Sequence, residues 1–67
     1  MIVDARGLSC PEPVILTKDA LASSPAECEI LVDNVTAKEN VTRYAEHQGY
    51  RVSISSGSGE YSLILKK

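Results

Sequence analysis

The stretch Cys10-Pro11-Glu12-Pro13 holds the residues of this 67-residue chain whose types and spacing could do chemistry. A cysteine thiolate attacks sulfur, and a rigid turn would hold it in reach of a visiting group. Proline suits the first helical position, because its missing N–H has no intrahelical partner there. On that reading Pro11 opens a helix and Cys10 is its N-cap, or the residue beside it, with sulfur near the positive end of the helix dipole. Gly7 upstream supplies the backbone freedom for a sharp turn. Serine, threonine or aspartate would cap a helix better than cysteine, so the thiol needs another reason to be there. Free cysteine has a pKa near ~8.5. Pro11 and Pro13 remove two first-turn amide donors, leaving chiefly the Glu12 and Val14 N–H groups to point at the sulfur. The Glu12 carboxylate opposes a second negative charge. The expectation is a modestly lowered pKa at Cys10, which preserves nucleophilicity.

Arg6 is the candidate counter-charge to this thiol. Asp33 closes the second predicted strand, on the edge that a parallel partner would share with Cys10, where open sheets tend to place ligands. It could orient Arg6 or a partner's lysine. Their plainer readings are a solvated charge for Arg6 and a turn residue capping local amides for Asp33. Asp4 reads as structural, and His47 as a surface residue complementing a helix dipole. Cys28 shares a strand face with Ile30 and Val32, where cysteine behaves as a small inert hydrophobe; its functional alternative is a resolving thiol. One histidine and no Cys-x-x-Cys give no support to a tetrahedral zinc site. No phosphate-binding glycine loop is present, and no cofactor is expected.

Residues 2–5 read as a short strand. A helix is predicted from about 11 to 23 or 24, ended by Pro25, with Val14, Thr17 and Leu21 in its buried seam and Ile15 or Leu16 partly exposed. An exposed aliphatic there could help dock a partner. Residues 27–33 alternate as a half-buried strand. Thr36-Ala37-Lys38-Glu39 fits a capping box with Thr36 as N-cap. Ala37, Val41, Tyr44, Ala45 and Gln48 follow with helical spacing, and Gly49 closes the second helix. Tyr50, Val52 and Ile54 mark a third strand. A Gly/Ser turn within 55–59 leads to a fourth at 60–66, with Tyr61, Leu63 and Leu65 on one face. The predicted fold is α+β, a two-layer α/β sandwich of order βαβαββ. Its four-stranded mixed sheet pairs the first two strands in parallel and carries both helices on one face.

A chain this short makes one small domain, here residues 1–67, that buries only about 60% of its unfolded surface. An enclosed active site is improbable, so chemistry belongs at the surface, against a partner. Seven basic residues against nine acidic ones give a net charge of −2 and no attraction for nucleic acid. No apolar run approaches the ~20 residues needed to cross a membrane, and no signal peptide precedes the first strand. The expected location is cytoplasmic.

The segment Val3-Asp4-Ala5-Arg6-Gly7-Leu8-Ser9-Cys10-Pro11-Glu12-Pro13-Val14 resembles the opening signature of the TusA/SirA/YedF-like sulfur-carrier proteins, marked by Cys-Pro-x-Pro. The segment Leu31-Val32-Asp33, the stretch to Gly49-Tyr50 and the final strand pair extend the likeness over nearly the whole chain. The flavour is closest to the YedF-like branch, in which such a domain can precede another. The resemblance implies a βαβαββ sulfurtransferase whose Cys10 accepts a sulfane sulfur as a persulfide. The donor would be a cysteine desulfurase or other persulfide donor, and a downstream sulfur-acceptor protein would receive the sulfur. Uses such as tRNA thiolation, cofactor sulfur supply or selenium handling stay open. The alternative is a non-catalytic interaction module using the open sheet face, with Leu31, Ile64 and alternate residues of the third strand, or the final strand as an edge; homodimerisation is one version of it. A nucleic-acid-binding domain is the weakest reading.

Overall fold

The structure, a computed structural model, describes residues 1–9 and 11–67. The elements run β1 (Ile2–Asp4), α1 (Glu12–Leu21), β2 (Glu27–Val32), α2 (Val35–His47), β3 (Arg51–Gly57) and β4 (Glu60–Lys66). The sheet order is β1-β2-β4-β3, with β1 and β2 parallel and the other pairs antiparallel. This is the predicted two-layer mixed-sheet fold. The final strand is not an edge, however. It inserts beside β2 and leaves β3 outermost, because Leu63 and Leu65 are the apolar pair that matches Ile30 and Cys28 in register.

The core lies between the sheet and the helices. Cys28, Ile30 and Val32 of β2 and Leu63 and Leu65 of β4 are fully enclosed. Ala37, Val41 and Ala45 of α2 cover them. Full burial of each large aliphatic contributes roughly 1.5–3 kcal/mol. The opposite sheet face is held by polar pairs: Ser62 donates to Glu29 at 2.7 Å, and Lys66 meets Glu27 at 3.5 Å. Leu31 and Ile64 lie half-buried between them.

Both helices begin elsewhere than the sequence suggests. α1 starts at Glu12 with Pro11 as its N-cap and Pro13 inside the first turn. Pro13, Thr17 and Leu21, spaced four apart, form the buried face, and Val14, expected in that seam, lies on a half-buried flank. Ile15 is exposed and Leu16 half-buried. The helix stops at Leu21, short of Pro25, because the chain turns through a left-handed Ser24 whose N–H returns to the Leu21 carbonyl at 2.9 Å. α2 is capped by Asn34 instead of Thr36. Its extended backbone presents Oδ1 to the Ala37 N–H at 2.7 Å. Asparagine ranks among the strongest N-caps, and here it pre-empts the threonine two residues on.

Gly49, at φ +88, closes α2 as expected. The Tyr50 N–H reaches the Ala45 carbonyl and the Gly49 N–H reaches that of Glu46, both at 3.0 Å, which is a Schellman closure. Tyr50 is then buried, and its hydroxyl donates to the Pro25 carbonyl at 2.8 Å. The β3–β4 turn narrows to Ser58 and Gly59, both at positive φ, as a type I′ hairpin requires. No helix among the described residues is long and apolar enough to cross a membrane.

Candidate functional site: the loop between β1 and α1

Residues 5–11 join the carboxyl end of β1 to the start of α1, and the loop is fastened at almost every described position. The Ala5 N–H extends the parallel ladder to the Leu31 carbonyl at 2.8 Å. Arg6 Nε and Nη2 donate to the two oxygens of Asp4 at 2.9 and 2.8 Å, while its backbone N–H donates to Oδ1 at 3.1 Å. Its third branch, Nη1, reaches Glu60 Oε1 at 3.2 Å, tying the loop to the start of β4. Gly7 turns at φ +80 and donates its N–H to Asp33 Oδ2 at 2.7 Å. Leu8 packs against the core. The Glu12 N–H donates to the Ser9 carbonyl at 2.9 Å, closing a turn into α1.

Asp33 and Asn34 form one corner with two duties. Asp33 anchors the loop and Asn34 caps α2. The short amide–carboxylate bond at Gly7 is charge-assisted, the stronger kind. The arrangement assigns Asp33 to a backbone amide, and the guanidinium of Arg6 goes to Asp4 and Glu60. Arg6 and Asp33 are brought to the same loop without pairing with each other. The Glu12 N–H, expected to face the sulfur, is spent on Ser9. Hydrogen bonding to Arg6 holds the Asp4 carboxyl down to about 2, and Arg6 is pushed above its ordinary value by the same bonds.

The placement of Cys10 itself lies outside the described residues. Its neighbours Ser9, Pro11 and Glu12 are exposed. Beside Pro11, a shallow and largely apolar groove runs between the start of α1 and α2, lined by Pro11, Val14, Asn40, Arg43, Tyr44 and His47. The α2 residues at 40, 43, 44 and 47 follow helical spacing and so share one face. That spacing is legible in the sequence, where Tyr44 stands out only by its helical spacing and His47 only as a complement to the helix dipole. Cys28 is fully buried and free, and desolvation pushes its thiol up. Among the described residues no cluster of histidine, cysteine, aspartate or glutamate could hold a metal ion.

The fold and the fastened loop define a class of protein: a small two-layer α+β domain with a tethered turn after its first, edge strand. Comparison with known proteins agrees. The family model described as Sulfurtransferase TusA matches residues 1–67. A candidate sulfur carrier protein of Methanocaldococcus jannaschii is 35% identical over 68 residues, covering 97% of this chain and 91% of that protein. The crystal structure of a SirA-like protein from Desulfitobacterium hafniense superposes with a TM-score of 0.86 at 35% identity, covering 98% of this chain and 96% of that one. The chain belongs to the TusA sulfurtransferase family.

Proposed function

We propose that the chain carries sulfane sulfur on Cys10. The thiolate attacks the terminal sulfur of a donor persulfide. The donor's S–S bond breaks, a new S–S bond forms at Cys10, and the donor thiolate leaves. An acceptor thiolate then attacks the same terminal sulfur and Cys10 departs as thiolate. Each step exchanges one S–S bond for another, so no external oxidant or reductant is needed. A cysteine desulfurase is the natural donor, and a protein thiol or a sulfur-using enzyme the acceptor.

The observation that carries this reading is the fastening of the loop around position 10: the Gly7 N–H to Asp33 upstream, and the bond from the Glu12 N–H to the Ser9 carbonyl that spans it. Arg6 and Asp33 act as positioning residues; Gly7 permits the left-handed turn, and Pro11 and Pro13 limit the loop's freedom. The groove beside Pro11, rimmed by Arg43 and His47, is where a partner's cysteine-bearing segment would lie. Proton movement is left to solvent or the partner.

The test is to incubate the protein with a cysteine desulfurase and labelled cysteine, then read its intact mass without reductant. One added sulfur is expected, lost in Cys10→Ser and kept in Cys28→Ser. Retention of the label in Cys10→Ser overturns the assignment.

A further inference from the structure

The two edges of the sheet are unlike. β1 is only three residues long, and short edge strands resist pairing with other chains. β3 is seven residues long, Arg51–Gly57, with no proline or lysine to guard it. Closure of the hairpin at Gly57 and Glu60 turns the main-chain groups of Arg51, Ser53, Ser55 and Gly57 toward β4. Those of Val52, Ile54 and Ser56 therefore face outward. Ile54, on the helix side of the sheet, is 46% exposed. It sits beside a ridge of α2 formed by Lys38, Glu39, Thr42, Arg43 and Glu46.

We infer that β3 pairs antiparallel with β3 of a second copy of this chain, about a two-fold axis through Ile54. Ile54 is the midpoint of the strand and one of its outward-facing residues, so the axis falls on a hydrogen-bonded pair. Val52 then faces Ser56 of the partner subunit, and the reverse pair follows by symmetry. These three pairs form about six main-chain hydrogen bonds, two from each. The two exposed isoleucines meet across the seam. Arg51, the strand's only charge, falls opposite Gly57 of the partner subunit and not opposite its own copy.

The helix ridge obeys the same symmetry. Thr42 is its midpoint, with one cation and one anion on either side, so antiparallel ridges meet without net repulsion. A standard interface takes about 800 Å² from each partner, about a fifth of this chain's 3999 Å². One strand edge and one ridge supply less, which places the dimer at the weak, concentration-dependent end. β1 lies at the opposite edge of the sheet, and the ridge shares Arg43 with the rim of the groove beside Pro11.

Sedimentation of the full chain from micromolar to millimolar concentration tests this. The weight-average mass should climb from 7.2 kDa toward twice that value. Ile54→Lys, which sets like charges across the axis, and Ile54→Pro, which removes an outward donor while sparing the β4 ladder, should both stay monomeric with unchanged circular dichroism. Amide exchange gives an independent reading. Protection at Val52, Ile54 and Ser56 should rise with concentration, while that at Ser53 and Ser55 should not change. A wild-type chain that remains monomeric at millimolar concentration, or variants that associate as it does, overturn the inference.

Discussion

Asp33 accepts a 2.7 Å hydrogen bond from the backbone N–H of Gly7, twenty-six residues away in sequence. The bond holds the turn before Cys10 against the corner that starts α2. It also gives a carboxylate at the end of β2 a mechanical duty.

Removing that acceptor should slow sulfur loading more than it lowers stability. Asp33→Ala is expected to cut the loading rate several-fold and to cost about 1 kcal/mol, since the site is exposed. Asp33→Asn, which keeps an acceptor oxygen, should recover most of the rate. The rate of persulfide formation and a thermal melt, read on the same samples, separate the two effects. Gly7→Ala should cost about 1–2 kcal/mol by backbone strain alone, because its φ is +80 and nothing crowds the position of an added Cβ.

The two candidate caps of α2 are distinguishable. Asn34→Ala should lower unfolding free energy by about 1 kcal/mol, whereas Thr36→Ala should change it little. Urea denaturation of the two variants checks this. A larger loss at Thr36 would return the cap to the capping-box position.

The Asp4–Arg6 pair sets an acid limit. Asp4 titrates lower in the folded chain, about 2 against an ordinary 3.8, so it favours the folded state above pH 3.8. That contribution fades as pH falls toward 2. Asp4→Asn should therefore flatten the pH dependence of the melting temperature between pH 4 and 2, and leave its slope near pH 7 unchanged.

Cys28 sets the opposite limit. Burial raises its pKa when folded, so an unfolded chain ionises first and stability declines as pH climbs above about 9. Cys28→Ala should lose that part of the alkaline decline, at a cost of about 1 kcal/mol for the space it leaves. In the native wild-type chain a thiol reagent at pH 8 should modify one cysteine, and two only after denaturation.

Much of this architecture is legible in the sequence, because the central strands alternate strictly and Gly49 punctuates α2 where the backbone must turn left-handed. The family resemblance is strongest over residues 3–14, extends along nearly the whole chain and needs no coordinates. What the sequence obscures is competition between neighbours of similar chemistry. Asn34 and Thr36 can both cap, and only the exit angle from β2 decides between them. Arg6 could answer Asp4, Asp33 or Glu60; the hairpin brings Glu60 within reach, and Gly7 takes Asp33. The position of β4 inside the sheet is likewise a matter of which apolar pairs meet, a choice that chain order leaves open.

The complete enclosure of Cys28 bears on how cargo is kept. A persulfide within reach of a second thiol on its own chain would collapse to an internal disulfide and release hydrogen sulfide. With that thiol sealed in the core, a chain that carried sulfur at Cys10 as proposed would hold it until some other molecule arrived to claim it.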